Sequence, residues 1–284
     1  MRRAAKLTAT VGDDRSMERI RAHYLVEREL ADRLRTGTRA DRLLLYGQVY
    51  DELHRRVPDH PSHTRVRDER SNEVHLQRLQ PFLAETVTFL EVGAGDCAIA
   101  RLVACHVRHV YALEVSEETV PSQEGWPDNL DVIVSDGISI PIAAGSIDLA
   151  LSNQVLEHIH PEDAEEQTRN VCRALRPGGH YVVATPNGTT GPHDVSKYFG
   201  EVATGFHLKE WTTRELAAML HRAGFSKVRF AALIRGHVLQ FTAPLGIGAE
   251  CASRMVPAAR RRTLAGGRLG EIFGLVNLLA IAKR

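Results

Sequence analysis

The sequence predicts an α/β protein built on a doubly wound, mostly parallel sheet, and three observations carry that reading. From residue 87 onward, short apolar runs alternate with helical stretches. The first run ends in a glycine turn, Glu91-Val92-Gly93-Ala94-Gly95-Asp96-Cys97, that passes into a helix-compatible stretch. Polar residues then follow the later runs, at the carboxyl ends of strands, where ligands bind in such sheets.

The elements read in order as follows. Residues 1–70 are rich in Arg, Glu and Asp, with apolar residues at helical spacing: Ile20, Tyr24, Leu30 and Leu34, then Leu43, Tyr46, Val49, Tyr50 and Leu53. Two helices fit, over 16–35 and 39–56, with Gly37 between them and Pro58 and Pro61 closing the second. A polar stretch from His60 to Arg70 leads into a helix over 71–84. Residues 1–70 thus form an N-terminal helical extension that could act as a lid, and 71–284 form the main domain. In that domain the strands fall at Thr88–Val92, His109–Val115, Asp131–Ser135, Ile147–Ser152 and Tyr181–Thr185. The helices fall at Ala98–Val107, Glu162–Leu175 and Thr213–Ala223, the second of them stopped by Pro177-Gly178-Gly179.

Composition excludes several classes. The 284 residues carry a formal net charge of +1, which gives no support for a nucleic-acid partner. Cys97, Cys105, Cys172 and Cys251 lie far apart without a Cys-x-x-Cys pair, as reduced thiols do. No apolar stretch follows the basic opening of Met1–Asp14, so no signal peptide is expected. The longest apolar run, Phe273–Ala282, is too short to span a bilayer and is broken by Asn277. A cytoplasmic protein without an integral membrane segment is the expectation.

The strand ends describe the ligand. Gly93 and Gly95 let backbone approach it closely. A pyrophosphate would be repelled by Asp96, whereas a ligand with a positive end suits Glu91 and Asp96. Glu114, about twenty residues beyond the turn, can accept hydrogen bonds from both hydroxyls of a ribose. Asp136-Gly137 can accept from the amino group of adenine while leaving room for the ring. Together these positions suit a nucleoside bearing a cationic tail.

The same residues resemble the class I S-adenosylmethionine-dependent methyltransferases. Glu91–Cys97 matches the first motif of that family, Glu114 its ribose-binding acid and Asp136-Gly137 its adenine contact. Ile147-Asp148-Leu149-Ala150-Leu151-Ser152-Asn153-Gln154-Val155-Leu156-Glu157-His158-Ile159 resembles its fourth-strand motif, and Leu175-Arg176-Pro177-Gly178-Gly179 the turn before its fifth strand. The resemblance covers roughly residues 74 to 284. It implies a seven-stranded Rossmann-like methyltransferase fold whose final strands are about Val228–Leu239 and Asn277–Ala282, the last inserted antiparallel. It implies S-adenosyl-L-methionine as cofactor, held by Glu91, Gly93, Ala94, Gly95, Asp96, Cys97, Glu114, Val115, Asp136, Gly137, Asn153, Gln154, Val155 and His158.

The acceptor end is less determined. His158, just past the fourth strand, either orients the substrate and takes its proton or packs beneath the cofactor. Glu157 either belongs to the site or faces solvent and caps arginines. A long connection, Asn187–Thr212, overhangs the site and holds His193, Asp194, Tyr198, His207 and Glu210. Candidate catalytic groups are His158, His193 and His207, with Asp194 as a partner; their spacing matches no strong metal motif, and no metal is expected. Phe206 and Trp211 read as anchors of the loop. Tyr46 and Tyr50 either close over the substrate or pack on the core or on a second subunit, which leaves room for a homodimer. Arg260-Arg261-Arg262 reads as a solvated helix face.

The expected activity is methyl transfer to a small or medium-sized acceptor, such as a sugar, glycan or secondary metabolite. Two other readings stay open. A loose Gly-x-Gly-x-x-Ala pattern through Ala98 would also suit an NAD-dependent oxidoreductase, and a non-catalytic cofactor-binding protein would share the motifs.

Overall fold

The computed structural model describes residues 13–60 and 69–284, so most of the basic opening stretch and of the polar segment after His60 lies outside it. Two helices open the described chain, α1 (Met17–Thr36) and α2 (Arg39–Arg56). Thr38 and Asp41 cap the second reciprocally, each side chain taking the other's backbone N–H. Helix α3 (Glu69–Leu79) then leads to the sheet domain. There β1 (Thr88–Val92), α4 (Ala98–Ala104), β2 (His109–Glu114), β3 (Leu130–Val134) and β4 (Ile147–Asn153) alternate, followed by α5 (Pro161–Ala174) and β5 (Leu175–Pro186). After a long loop come α6 (Thr213–Arg222), β6 (Lys227–Ile234), β7 (His237–Phe241), α7 (Ala243–Arg254), α8 (Ala258–Ala265), α9 (Arg268–Ile272) and β8 (Asn277–Lys283).

The sheet order is β3-β2-β1-β4-β5-β8-β6-β7. Strands β1 to β5 pair in parallel, and β8 runs antiparallel between β5 and β6. The expected α/β sheet with its inserted antiparallel strand is therefore present, with eight strands instead of seven. The extra one arises because the run Val228–Leu239 is split. Arg235 and Gly236 both take positive φ, at 49° and 79°, which makes a two-residue hairpin turn between β6 and β7. Helices α7 to α9, in the connection to β8, carried no clear sequence signal. Within it Arg260 is exposed, and Arg261 donates to the carbonyls of Ser253, Arg254 and Val256.

Side-chain alternation along the strands fills a core on each face. Leu90, Ala150, Val183 and Ala280 join one cluster with residues of α1, α2, α5 and α6. Their neighbours Phe89, Leu149, Val182 and Leu279 join the other, with residues of α3 and α4. The N-terminal helices thus share the main core. One buried ion pair fixes their docking: Arg42 of α2 grips Asp163 of α5 with two bonds of 2.5 and 2.8 Å, and the Tyr46 hydroxyl donates to the same carboxylate at 2.7 Å. Among the described residues no helix is long and apolar enough to cross a membrane.

Candidate active site

The glycine turn is held by the strand beside it. Gly93 and Ala94 N–H both donate to Leu113 C=O at 2.9 Å, and Gly95 N–H donates to Glu114 Oε2 at 2.7 Å. Val115 N–H and Ser116 N–H bond the other oxygen of Glu114. Burial raises the Glu114 carboxyl from its ordinary range, and these three backbone donors only partly offset it. Gly93 is required twice over: its φ is +70°, and a Cβ there would sit 2.5 Å from Val155 Cγ2.

Above the turn, a cavity of about 650 Å³ opens at the carboxyl ends of β1, β2 and β4, a volume typical of small-molecule sites. Of the sequence-predicted positions, Gly93, Gly95, Asp96, Glu114 and Val115 line it, as do Gly137, Asn153, Gln154, Val155 and His158. Glu91, Ala94, Cys97 and Asp136 do not. Glu91, Ala94 and Cys97 are buried in β1 and the turn. Asp136 is folded into its own turn, where its oxygens accept from Ile138 N–H, Ser139 N–H and the Ser139 hydroxyl. Burial pushes the Cys97 thiol up to about 12, and Cys172 is buried too. A thiol reagent applied to the folded protein is expected to label Cys105 and Cys251 and to spare the other two; rapid labelling of Cys97, read by peptide mass, would contradict this burial.

The N-terminal helices supply another part of the wall: Tyr46, Tyr50, Leu53 and His54 from α2, Glu27 from α1, and His60 just beyond. The tyrosines were legible as a pair one helical turn apart. Glu27, His54 and His60 were missed, although Tyr50 and His54 share the same four-residue spacing. Burial alone would raise the Glu27 carboxyl, but hydrogen bonds from His23 and His60 outweigh it and hold it well below its ordinary value. The other oxygen of Glu27 accepts from Phe206 N–H at 3.0 Å, and Arg35 donates to the carbonyls of Gly205 and His207. Helix α1 thereby clamps the loop that follows β5.

That loop brings the remaining catalytic candidates together behind His158. The His158 Nδ1–H donates to Phe206 C=O at 3.0 Å, and desolvation pushes the imidazole down to about 3. The His207 ring lies 4.9 Å from it, edge to face, and donates Nδ1–H to Glu210 at 2.7 Å. Burial opposes charge on His207, yet Glu210, Glu157 and Asp194 together outweigh it and raise the imidazole. Glu157 is fully buried, which corrects the solvent-facing reading: it sits in a 3₁₀ turn, Leu156–His158, beyond β4, and burial pushes it up to about 7. Neither Asp194 nor His193 lines the cavity. Asp194 accepts from Ser196, Gly205 and His207 backbone N–H groups, and His193 faces Asn187 C=O and the Thr190 hydroxyl. Both organise the loop. Phe206 and Trp211 are buried, and the Trp211 indole donates to Leu156 C=O, as anchors would.

The lining has one charge character. Glu27, Asp96, Glu114 and Glu118 contribute to it, and among the described residues no lysine or arginine does. Such a wall repels a diphosphate and favours a ligand carrying positive charge. A glycine cradle, a strand-end carboxylate and an acid-lined cavity atop a largely parallel sheet have the chemistry that a nucleoside with a positive end would need.

Comparison with known proteins agrees. Residues 90–183 match the family model described as a methyltransferase domain. A probable S-adenosylmethionine-dependent methyltransferase of Mycobacterium tuberculosis is 30% identical over 167 residues, covering 59% of this chain and 58% of its own length. The chain therefore spans little more than half of that relative. A malonyl-[acyl-carrier protein] O-methyltransferase of Methylococcus capsulatus is 29% identical over 206 residues, covering 68% of this chain and 73% of its own. Among solved structures, the 1,6-didemethyltoxoflavin-N1-methyltransferase of Burkholderia thailandensis, with its substrate and S-adenosylhomocysteine bound, shares the fold with a TM-score of 0.55. It is 15% identical and is covered over 91% of its length, against 87% of this chain. The matched segment, residues 90–183, thus resembles a methyltransferase domain, and the Mycobacterium tuberculosis relative is itself named as S-adenosylmethionine-dependent.

Proposed function

We propose that the protein transfers the methyl group of S-adenosyl-L-methionine to a small or medium-sized acceptor of the sugar, glycan or secondary-metabolite kind. The observation that carries this reading is the acid-lined cavity above the Gly93 turn, to which no arginine or lysine contributes among the described residues. The bound cofactor supplies a methyl group activated by a positively charged sulfur. Glu114 accepts from the ribose hydroxyls, and Gly137 leaves room for the adenine. Asp96, Asn153, Gln154 and Val155 border the methionine end. Asp136 acts through the shape of its turn, since its oxygens are already engaged.

Of the catalytic histidine candidates His158, His193 and His207, only His158 lines the cavity. Its proton sits on Nδ1, which leaves Nε2 to accept a hydrogen bond from an acceptor hydroxyl or amine. Such a weakly basic ring orients the acceptor; holding nucleophile and methyl in line is worth roughly 7–11 kcal/mol in favourable cases. His207, His193 and Asp194 position that end without reaching the cavity. Tyr50 packs edge-on to His158 and Phe206 and closes the wall from above. On this reading residues 17–56 form a fixed cover for the cavity. The acceptor is not set by the fold: relatives are named for acceptors as different as malonyl-[acyl-carrier protein] and arsenite.

Two measurements test the proposal. Calorimetry is expected to show binding of S-adenosyl-L-methionine and none of NAD(H); the reverse preference would end the methyltransferase reading. Glu114→Gln keeps the shape but loses the charge, and is expected to weaken donor binding about tenfold to a hundredfold, the worth of one charge-assisted hydrogen bond of ~1.5–3 kcal/mol. Incubation with labelled methyl donor and a panel of hydroxyl and amine acceptors then identifies the substrate.

A further inference from the structure

Three side chains at and behind the cavity wall converge in a way that methyl transfer alone does not require. Glu157, His158 and His207 each offer a donor atom, and the three atoms lie within 4.8 Å of one another. The far side of every one of them is already held. His158 gives Nδ1–H to Phe206 C=O at 3.0 Å, and His207 gives Nδ1–H to the Glu210 carboxylate at 2.7 Å. Glu157 accepts the Thr185 hydroxyl on Oε2 at 2.9 Å. The atoms these bonds leave uncommitted are Nε2 of each imidazole and Oε1 of Glu157. That oxygen is buried and has no hydrogen-bond partner among the described residues.

From this we infer that Glu157, His158 and His207 form a binding site for a divalent transition-metal ion such as Zn²⁺, Fe²⁺ or Mn²⁺. Two imidazoles and one carboxylate are a donor set that holds such ions with coordination positions to spare. The outer bonds are those that metal-bound histidines make: one ring nitrogen gives its proton to a carboxylate or carbonyl, and the other turns to the ion. Isolated from a metal, a buried carboxylate oxygen without a partner is costly. The sequence suggested no metal because the donors come from two segments separated by α5, β5 and the long loop.

The second such cluster among the described residues, His23, Glu27 and His60, lacks this arrangement. There Arg15 donates to His23 Nδ1 at 3.0 Å, which puts the His23 proton on Nε2, aimed at Glu27 2.7 Å away. Its nitrogen is spent on a hydrogen bond.

His158 lines the cavity, while Glu157 and His207 stand behind it. With Nε2 of His158 given to the ion, the ion would replace the imidazole as the group that meets the acceptor, its spare positions belonging on the cavity side. That role rests on the methyltransferase reading; the site itself does not.

The test reads metal directly, without donor or acceptor. The full chain is stripped with chelator, dialysed, and titrated with Zn²⁺ and Co²⁺. About one ion per chain is expected, and pulsed EPR of a Mn²⁺- or Cu²⁺-loaded sample should show coupling to histidine nitrogen. Glu157→Gln and His207→Gln are expected to weaken uptake by at least about 100-fold, and Glu210→Gln by about 10- to 100-fold through the His207 ring. His23→Asn should leave uptake unchanged. A stripped chain that binds none of these ions overturns the site, as does uptake lost in His23→Asn but kept in Glu157→Gln and His207→Gln. Should those two variants fail to fold, absence of histidine nitrogen coupling in the loaded wild-type protein overturns it equally. Donor calorimetry on the same stripped sample separates this failure from failure of the methyltransferase reading.

Discussion

Asp163→Asn is expected to destabilise the protein by about 3–5 kcal/mol, because it leaves the Arg42 guanidinium buried without its counter-charge. The Arg42 side chain is 4% exposed and that of Asp163 1%, so solvent cannot substitute for the lost carboxylate. With one amide oxygen in place of two carboxylate oxygens, the two Arg42 bonds and the Tyr46 bond can no longer all be satisfied. Thermal melting should fall by on the order of 10 °C. Glu162→Gln is the control: it touches the same guanidinium but is 75% exposed, and its removal should shift stability by less than about 1 kcal/mol. The pH dependence has a definite sign. Burial works against charge on Asp163, but the Arg42 and Tyr46 hydrogen bonds outweigh it and hold the carboxyl below its ordinary value. Its contribution is therefore complete above the unfolded pKa of about 3.9 and is lost as pH falls through the folded one. The gap between wild type and Asp163→Asn should be full at neutral pH and shrink below about pH 4. Equal melting temperatures at pH 7 would show that the pair does not anchor the N-terminal helices.

Gly93→Ala should severely damage the donor site. The new Cβ meets Val155 Cγ2 at 2.5 Å, and the left-handed backbone adds about 1–2 kcal/mol of strain. Overpacking costs a further ~1–3 kcal/mol. The turn relieves this only by shifting Gly93 and Gly95 away from Leu113 and Glu114, which moves the cradle itself. Donor affinity is expected to drop about 100-fold, or stability by a corresponding amount. Adding Val155→Ala separates the two causes. The double variant should recover the steric part and keep the strain. If Gly93→Ala alone binds the donor as wild type does, the cradle is not where the cofactor lies.

The sheet was legible because its strands are apolar on both faces and short, so alternation with helices showed clearly. Phe89 and Leu90, or Val182 and Val183, serve opposite cores and read as uninterrupted apolar runs. Helices α7 to α9 were not legible. Gly246 and Gly248 interrupt the first, and its ordering comes from tertiary bonds, with Glu250 accepting from Asn187 and Thr213. At the site, the glycine turn and Glu114 announced themselves by position along the chain. Glu27 did not, since a lone carboxylate on a polar helix gives no sign that Phe206, nearly 180 residues away, will donate to it. The burial of Glu157 was hidden for the same reason. Its surroundings are assembled from β5 and the loop beyond, and no local pattern encodes that enclosure.

The placement of β8 has a consequence for how the molecule comes together. During synthesis β5 must wait as an open edge while β6 and β7 have only one another to pair with, because the strand that bridges them is translated last of the eight. An unsatisfied, apolar border of this kind invites association with other chains. Newly made copies should therefore be most vulnerable to aggregation, and most dependent on chaperones, in the interval before residues 277–283 leave the ribosome.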